Sequence, residues 1–278
     1  MNQKQCTDQI KEFKSFLVKE EKSKATIEKY LRDIKYFFEY LSDRTICKEN
    51  TVAYKEYLLR QYAPASTNSM LVALNSFLRF IGLQDCCVKL VKIQRQIFSR
   101  EDKELSIAEY KRLVKAAANT RLSLVIQTIC GTGIRVSELQ HITVEAVWAG
   151  KTVVNCKNKT RVIFIPASIQ KLLTKYIKKN RITAGAVFVS KSGKPLDRKN
   201  IWRDMKALCE QAGVSPEKVF PHNLRHLFAR TFYSLEKDIV RLADLLGHSS
   251  IDTTRIYTIE TGNEHRHRLE RVGRLLRT

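Results

Sequence analysis

Apolar residues recur at helical spacing through the first part of the chain. After Ser23 they follow one another at steps of four, three, four and three residues: Ile27, Leu31, Ile34, Phe38 and Leu41. This single apolar stripe predicts a helix over about 24–42. A helix over residues 3–20, one capped by Asn50, and one that begins at Pro64 and ends at Gly82 complete a predicted bundle of four.

The helical periodicity is lost over residues 83–104, which carry a basic stretch from Lys89 to Arg100. We interpret about 94–104 as a linker between two domains, and a fraying helix end is an equal alternative for its first half. Ser106 and Glu109 form a capping box, which predicts a helix at the start of the second domain. The predicted domains are therefore residues 1–93 and 105–278.

The second domain mixes helical and β patterns. Helical segments extend to about residue 142 and return at about 168–180, at 197–212 and from His222 to the end. Short β-rich runs lie at 143–148, 152–156, 161–165 and 187–189, and residues 157–160 are the predicted turn of a hairpin. The predicted fold class is mainly α, with a helical N-terminal domain and a mixed, mostly helical second domain that contains a small antiparallel β-sheet.

The charge of the chain indicates a polyanion as its partner. The formal net charge is +22, from 50 lysines and arginines against 28 acidic residues. Both predicted domains share the excess, with net +7 in residues 1–100 and net +15 in residues 101–278. Nucleic acid is the polyanion that this distribution favours, and a merely basic soluble protein is the alternative. No long apolar run or basic amphipathic anchor predicts a membrane partner.

The seven cysteines are odd in number and lack CxxC spacing, which predicts reduced thiols rather than disulfides. The chain also opens without the apolar segment of a signal peptide, so we expect a cytoplasmic protein. The cysteine spacing predicts no metal site, and we expect no cofactor.

Three short motifs supply reactive side chains. Arg135 ends a Gly-Thr-Gly-Ile-Arg stretch between two predicted helices, His222 and Arg225 lie one helical turn apart, and Tyr257 follows His248 by nine residues. A phenol oxygen can attack a phosphodiester and displace a 5′ oxygen, while guanidinium groups stabilise the charge that gathers on the phosphate. The covalent bond to tyrosine conserves the phosphodiester energy, so rejoining the strand needs no ATP.

Each motif also has a purely structural interpretation. Arg135 could be a surface residue at a helix–turn–helix corner, His248 a C-cap residue and Tyr257 an ordinary aromatic of an amphipathic helix. Glu138, one turn after Arg135, either orients that arginine or forms an ordinary exposed pair with it. We interpret His226 as structural, because we expect it to point elsewhere on its helix.

The order and local spacing of these motifs resemble the tyrosine recombinase (integrase) family. The resemblance covers most of the chain and is closest to the chromosome-dimer-resolving, Xer-like branch and to phage or transposon integrases. It implies a SAM-like core-binding domain in residues 1–93 and a catalytic domain in residues 105–278. Within the catalytic domain it implies two phosphate-binding arginines, a proton-handling histidine, a phosphate hydrogen-bonding histidine and a nucleophile: Arg135, Arg225, His222, His248 and Tyr257.

The resemblance also implies a lysine on the β-hairpin that protonates the leaving oxygen. Family members often carry Gly-Lys-Gly-x-Lys there, whereas residues 155–161 of this chain read Asn-Cys-Lys-Asn-Lys-Thr-Arg. Both glycines are missing and the hairpin is one residue shorter. Lys157 is the predicted general acid, and Lys159 is the alternative.

The implied function is site-specific recombination of double-stranded DNA through a covalent 3′-phosphotyrosyl intermediate, in integration and excision or in resolution. Four protomers would act on two DNA sites, either as a homotetramer or as a tetramer that also contains a related recombinase. The reaction would need neither a metal ion nor a nucleotide. A basic C-terminal helix from Gly262 to Leu276 would contact a neighbouring subunit, or alternatively pack on its own domain. The alternative functions are a catalytically silent, sequence-specific DNA-binding accessory factor and a type IB topoisomerase-like enzyme.

Overall fold

The computed structural model describes residues 3–42, 44–93, 103–156, 159–190, 192–257 and 262–277. The chain divides into two compact units, Met1–Arg95 and Gln96–Thr278. Most of the predicted linker at 94–104 lies outside the described residues. Within the described ranges, no helix is both long enough and apolar enough to span a bilayer.

The described part of the first unit contains four α-helices and a short 3-10 helix at Gln84–Cys86; the α-helices are α1 (Gln3–Lys19), α2 (Lys24–Leu41), α3 (Lys48–Gln61) and α4 (Pro64–Phe80). The Ser23 side chain caps α2 by accepting from the Thr26 amide at 3.3 Å, and Pro64 occupies the first turn of α4, where its missing N–H costs nothing. The expected cap at Asn50 is wrong. Because α3 begins at Lys48, Asn50 lies inside the helix, and its side-chain amide donates to the Thr45 carbonyl at 2.8 Å.

The core of the first unit combines the apolar faces of all four helices. Its fully buried side chains include Phe13, Leu17, Ile34, Phe37, Leu58, Leu71, Leu74 and Phe77. The rings of Phe13 and Phe77 meet edge to face with centroids 5.2 Å apart, which is a preferred aromatic geometry. The predicted four-helix arrangement therefore has its own hydrophobic core.

The second unit contains ten helices and one hairpin within the described residues. Before the hairpin lie α5 (Ile107–Ala116), α6 (Arg121–Thr132) and α7 (Val144–Ala149), with a 3-10 helix at Val136–His141. After it lie α8 (Ala167–Lys179), α9 (Arg198–Ala207), α10 (Cys209–Ala212), α11 (Pro221–Glu236), α12 (Ile239–Leu246), α13 (Ile251–Thr254), a 3-10 helix at Arg255–Tyr257 and α14 (Gly262–Leu275).

The hairpin consists of β1 (Lys151–Cys156) and β2 (Lys159–Phe164), which pair antiparallel from Lys151↔Phe164 to Cys156↔Lys159. Val154 and Ile163 are buried and turn one face of the hairpin toward the core. The fold class is confirmed as mainly α with a small antiparallel sheet. The predicted turn was too long, because β2 already begins at Lys159.

Two predicted β-runs in the second unit are wrong. Residues 143–148 form α7, because Thr143 accepts from the Ala146 amide at 3.1 Å and caps a helix that ends at Gly150. β-branched residues had suggested a strand there, and this local cap outweighs their propensity. Residues 187–189 form no strand: Val189 makes one isolated bridge to Pro195, and the neighbouring Ala186 makes another to Thr143.

The main core of the second unit is formed by α5, α6, α8 and parts of α9 and α11, with Leu113, Ile126, Ile129, Leu173 and Leu224 fully buried. A smaller apolar cluster lies between α11 and α12 and consists of Ala229, Leu242, Leu246 and Tyr257. Helix α11 packs against α6, which brings its first turns close to the glycine turn that ends α6. This contact positions the candidate site.

Candidate active site

Arg135 lies directly after the turn that ends α6. Gly133 terminates the helix with φ +65°, and a Cβ there would stand 2.4 Å from the Phe228 ring of α11, so the position requires glycine. Two residues later, Arg135 begins the 3-10 helix. Its amide donates to Glu138 at 2.7 Å and its guanidinium donates to the same carboxylate at 3.0 Å. The arginine is 38% exposed, so it is held from one side and open on the other.

Arg161 of β2 is a member of this group that the sequence did not identify. Its guanidinium donates to Glu138 at 2.5 Å and to the Leu245 carbonyl at the end of α12. A Cβ at Gly247 would stand 2.3 Å from the Arg161 Cδ, so the arginine packs directly on that backbone. One buried carboxylate therefore holds two arginines, and the trio keeps a net positive charge.

Glu138 is ionised in this setting. Burial alone would raise its pKa, but the hydrogen bond from the Arg135 amide and the charge of Arg161 outweigh burial and lower the pKa. The orienting role expected for Glu138 is consistent with these contacts. The ordinary exposed pair is excluded, because Glu138 is buried.

The first turn of α11 carries His222 and Arg225. Pro221 occupies the start of the helix, His222 is exposed, and Arg225 is buried one turn later. The Arg225 guanidinium donates to the carbonyls of Gly133 and Leu246, each at 2.7 Å. Burial, and then the charge of Arg135, lower the pKa of Arg225 to about 10, so it remains a cation at neutral pH.

His248 follows α12 and contacts Arg225. Gly247 ends the helix with φ +63°, and the His248 Nε2 lies 3.1 Å from the Arg225 guanidinium. Because a guanidinium can only donate, Nε2 accepts and the ring proton lies on Nδ1, which donates to the Thr254 hydroxyl at 2.9 Å. Burial and the neighbouring arginines lower the pKa of His248 to about 4, so the ring is neutral.

Tyr257 is buried beside these groups, with 3% of its surface exposed. Its ring lies edge-on to His226 with centroids 4.7 Å apart and stacked on His248 at 6.0 Å. Burial raises the pKa of the phenol, and the positive charges of Arg225 and Arg135 work against that rise. In this structure the phenol is therefore protonated at neutral pH.

His226 also belongs to the group, so its interpretation as a residue pointing elsewhere is wrong. Its ring lies between His222, with centroids 4.6 Å apart, and Tyr257. The signal was present in the sequence, because His226 follows His222 by four residues and four-residue spacing places both on one helical face. Burial and the nearby histidines and Arg225 lower the pKa of His226 to about 4.

The hairpin lysines are the part of the site that the structure leaves open. Lys157 lies outside the described residues. Lys159 begins β2, where its backbone pairs with Cys156. Both therefore remain predictions as the general acid.

Three of the other groups, Arg135, His222 and Arg225, line a cavity of about 490 Å³. Ligand pockets commonly measure about 300–1,000 Å³. The cavity is thus large enough for a nucleotide-sized group. In the described part of the chain, no three His, Cys, Asp or Glu side chains are grouped so that they could hold a metal ion.

Two family models match this chain. The N-terminal SAM-like domain of phage integrases matches residues 10–84, and the phage integrase family matches residues 103–264. The chain belongs to the phage integrase family. It is accordingly a tyrosine recombinase, an enzyme of site-specific DNA cleavage and rejoining.

Relatives along the whole length agree with this assignment. Tyrosine recombinase XerA of Pyrococcus horikoshii is 31% identical over 276 residues, which cover 96% of this chain and 94% of the relative. Tyrosine recombinase XerD of Halalkalibacterium halodurans is 28% identical over 262 residues, covering 85% of this chain and 87% of the relative.

Solved structures share the fold. The crystal structure of XerA recombinase is 25% identical, with a TM-score of 0.53 over 95% of this chain and 98% of that one. A lambda integrase dimer bound to a COC′ core site has a TM-score of 0.74 over 92% of this chain and 96% of that one. Since lambda integrase is only 20% identical, that likeness concerns the fold alone.

Proposed function

We propose that Tyr257 is the nucleophile of DNA strand cleavage, that Arg135 and Arg225 hold the phosphate it attacks, that His222 handles the proton, and that His248 positions Arg225 through their hydrogen bond. One observation carries this proposal: three segments that are far apart in sequence bring these five side chains to one place. They come from the end of α6, the first turns of α11 and the stretch after α12. None of the purely structural interpretations of the single motifs requires this convergence.

The charge of the site suits a phosphate that becomes more negative during the reaction. Arg225 is buried and fixed by two backbone carbonyls, while Arg135 is fixed by Glu138 and open toward the cavity. Guanidinium groups that are positioned before the reaction stabilise a pentavalent phosphate without having to reorganise. Both arginines therefore act on the non-bridging oxygens.

Proton transfer completes the reaction. The phenol oxygen of Tyr257 bonds to phosphorus, the bond to the 5′ oxygen breaks, and the strand stays joined to the protein through its 3′ phosphate. Partial desolvation and the charges of Arg225 and Arg135 lower the pKa of His222. Neutral His222 can then accept the phenol proton.

The departing 5′ oxygen receives its proton from Lys157, with Lys159 as the alternative. A 5′-bridging sulfur leaves without a proton, so it should restore cleavage only to the variant that lacks the general acid. We expect rescue of Lys157→Ala and none of Lys159→Ala, measured as the rate of cleavage of both substrates. Rescue of Lys159→Ala alone would reverse the assignment.

The substrate we propose is double-stranded DNA, and the structural neighbours include a lambda integrase bound to DNA and a transposon integrase in complex with transposon right end DNA. A homotetramer, or a tetramer with a related recombinase, on two DNA sites is the proposed assembly, and a lambda integrase tetramer on a Holliday junction supports it by analogy. The exposed apolar residues Leu269, Val272 and Leu276 of the C-terminal segment support a contact with a neighbouring subunit. The proposed compartment is the cytoplasm.

The test is a search for covalent protein–DNA adducts on denaturing gels, with fragments that span the DNA flanking the gene. We expect wild type to form an adduct at one site and Tyr257→Phe to bind the same DNA without one. An adduct that survives Tyr257→Phe would refute the assignment of the nucleophile. Salt-sensitive binding without any adduct would favour an accessory factor.

A further inference from the structure

The cavity beside Arg135 has a second wall that the proposed chemistry does not use. Helix α9 contributes Arg198 and Trp202 to its lining, four residues apart and therefore on one helical face. Arg135 and His222, which come from other elements, line the same cavity. A single phosphate held by the arginines would leave the α9 side of this cavity unoccupied.

The α9 wall has the charge of an anion site. The ten described residues that line the cavity include three arginines and one histidine, and none of them is acidic. Arg198 is exposed and forms no hydrogen bond or ion pair with any other described residue. Its neighbour on the helix, Arg203, is 71% exposed and paired with Asp204. Arg198 is thus the cation of α9 that lines the cavity, and no described acidic side chain forms an ion pair with it.

Trp202 presents an apolar plane beside that charge. It is 49% exposed, although large aromatic side chains lose favourable burial when they face water. The Lys206 ammonium lies 5.2 Å from the ring centroid and also donates to the Pro216 carbonyl, so the ring is supported from one side. The combination leaves a partly fixed aromatic surface open toward the cavity.

We propose that Arg198 and Trp202 form a second DNA-backbone subsite, next to the phosphate that Tyr257 attacks. Arg198 binds the neighbouring phosphodiester, and the Trp202 ring packs against the deoxyribose that joins the two phosphates. The inference rests on the proposed function, because that function places DNA in this cavity. Holding two successive phosphates fixes the strand in register, which a single phosphate site cannot do.

The binding test uses duplexes that Tyr257→Phe protein selects from a random-sequence library, so it does not depend on cleavage. In the Tyr257→Phe background, Arg198→Ala and Trp202→Ala should each weaken binding about tenfold, the size of one lost phosphate or stacking contact. Arg198→Ala should also reduce the slope of log K against log salt by about one. The matched controls are Arg203→Ala and Trp148→Ala, since Trp148 is 64% exposed in α7 and does not line the cavity.

A methylphosphonate scan locates the subsite. Replacing one phosphate at a time by a neutral methylphosphonate should weaken binding at the position that Arg198 contacts. The same replacement should have no further effect on Arg198→Ala protein. The adduct formed by wild type identifies the attacked phosphate, and we expect the Arg198-coupled position to be its immediate neighbour.

Fluorescence supplies a readout that a general loss of stability would not produce. The chain has two tryptophans, so Trp148→Phe leaves Trp202 as the only one and Trp202→Phe leaves Trp148. DNA should change the emission of the Trp148→Phe protein and leave that of the Trp202→Phe protein unchanged. The reverse pattern would overturn the proposal.

The outcomes separate this proposal from the proposed function. If Arg198→Ala and Trp202→Ala bind DNA as tightly as the two controls, the subsite is refuted even when wild type forms an adduct. If wild type forms no adduct while Arg198 still couples to one phosphate, the cleavage function fails and with it the proposed position beside an attacked phosphate, and Arg198 is a DNA-backbone contact only. Coupling to a phosphate remote from the attacked one would also refute the proposal.

Discussion

In each of the two units the structure describes one buried carboxylate that contacts two cations, but the two trios are built differently. In the first unit, Asp33 pairs with Lys29 at 2.5 Å and Arg32 at 3.1 Å, and all three lie on α2. In the second unit, Glu138 pairs with Arg135 at 3.0 Å and with Arg161, 23 residues further along the chain, at 2.5 Å. The ion pairs of the first trio are local, although Lys29 also donates to the Ser69 carbonyl of α4 at 2.9 Å, whereas the ion pairs of the second trio themselves join separate segments.

Lys29 and Arg135 are similarly exposed, at 31% and 38%, so the trios differ in exposure at their second cation. Arg32 is 74% exposed and can be hydrated if Asp33 is lost, whereas Arg161 is 10% exposed and cannot. Through Arg161, the Glu138 carboxylate links the 3-10 helix to β2 and to the end of α12, which precedes His248. A similar set of charges can therefore stabilise one helix or hold a site together, depending on the sequence distance that its ion pairs span.

The largest expected difference is between the variants that neutralise Glu138 and Asp33, in both the free energy of unfolding and the rate of cleavage. Glu138→Gln leaves Arg161 buried without a counter-charge, so the free energy of unfolding should fall by about 3–5 kcal/mol. Cleavage should fall about 100-fold or more, because Arg135 and the hairpin lose their common anchor. Urea unfolding followed by tryptophan fluorescence reports on this unit alone, since Trp148 and Trp202 both belong to it.

Asp33→Asn is the matched control for Glu138→Gln. Arg32 can turn to water and Lys29 keeps its hydrogen bond to the Ser69 carbonyl, so we expect a loss of about 1 kcal/mol, measured by far-UV circular dichroism during unfolding. Cleavage by DNA-bound Asp33→Asn protein should remain near that of wild type. Equal losses of stability and cleavage in the two variants would contradict the distinction between a local and a long-range trio.

The same distinction explains what the sequence could predict. Contacts within one element could be predicted, because helical spacing fixes them. Examples are the apolar stripe of α2, the capping box of Ser106 and Glu109, and the pair of His222 and Arg225. The fold class and the family followed from such local patterns. The error at residues 143–148 was also local, since one threonine cap decided between helix and strand.

Contacts between distant segments could not be derived in this way. Nothing in the spacing of Arg161 relates it to Glu138 or to Leu245, and only the folded hairpin brings them together. Trp202 had no motif around it and was recognised only through the cavity that it lines. His226 is the exception, because its four-residue spacing from His222 was sufficient to place it in the site.

Gly247→Ala tests the packing of Arg161, with a smaller expected effect than Glu138→Gln. Gly247 and Gly213 both have a positive φ, +63° and +59°, so alanine costs about 1–2 kcal/mol in backbone strain at either position. A Cβ at Gly213 meets nothing within 4 Å, whereas at Gly247 it meets Arg161 at 2.3 Å. We therefore expect a further loss of about 1–3 kcal/mol at Gly247 alone. If the two alanine variants unfold at the same urea concentration, the Arg161 side chain moves aside freely and the long-range trio is not rigid.

Mild acid should lower the free energy of unfolding of the second unit more than that of the first, because all six histidines lie in residues 96–278. This is the smallest of the expected differences between the units. Burial, with the charges of Arg225, Arg135 and Arg161 and of the neighbouring histidines, lowers the pKa of His226 and His248 to about 4. Between pH 7.5 and 6 their unfolded forms begin to take up protons that the folded forms refuse. The free energy of unfolding of the second unit should therefore fall as pH falls, by about 1 kcal/mol for each histidine at pH 6.

This pH window isolates the histidines from Glu138, whose lowered pKa makes its contribution disappear only in stronger acid. Fluorescence-monitored urea unfolding at pH 7.5 and pH 6 measures the effect in the second unit, and His226→Asn should remove about half of it. The first unit contains no histidine, so its unfolding should change little over the same interval. A second unit that is equally stable at both pH values would mean that one or both rings are already protonated in the folded state. In that case His248 could not accept from Arg225, and the hydrogen bond that joins α11 to the end of α12 would have to be reassigned.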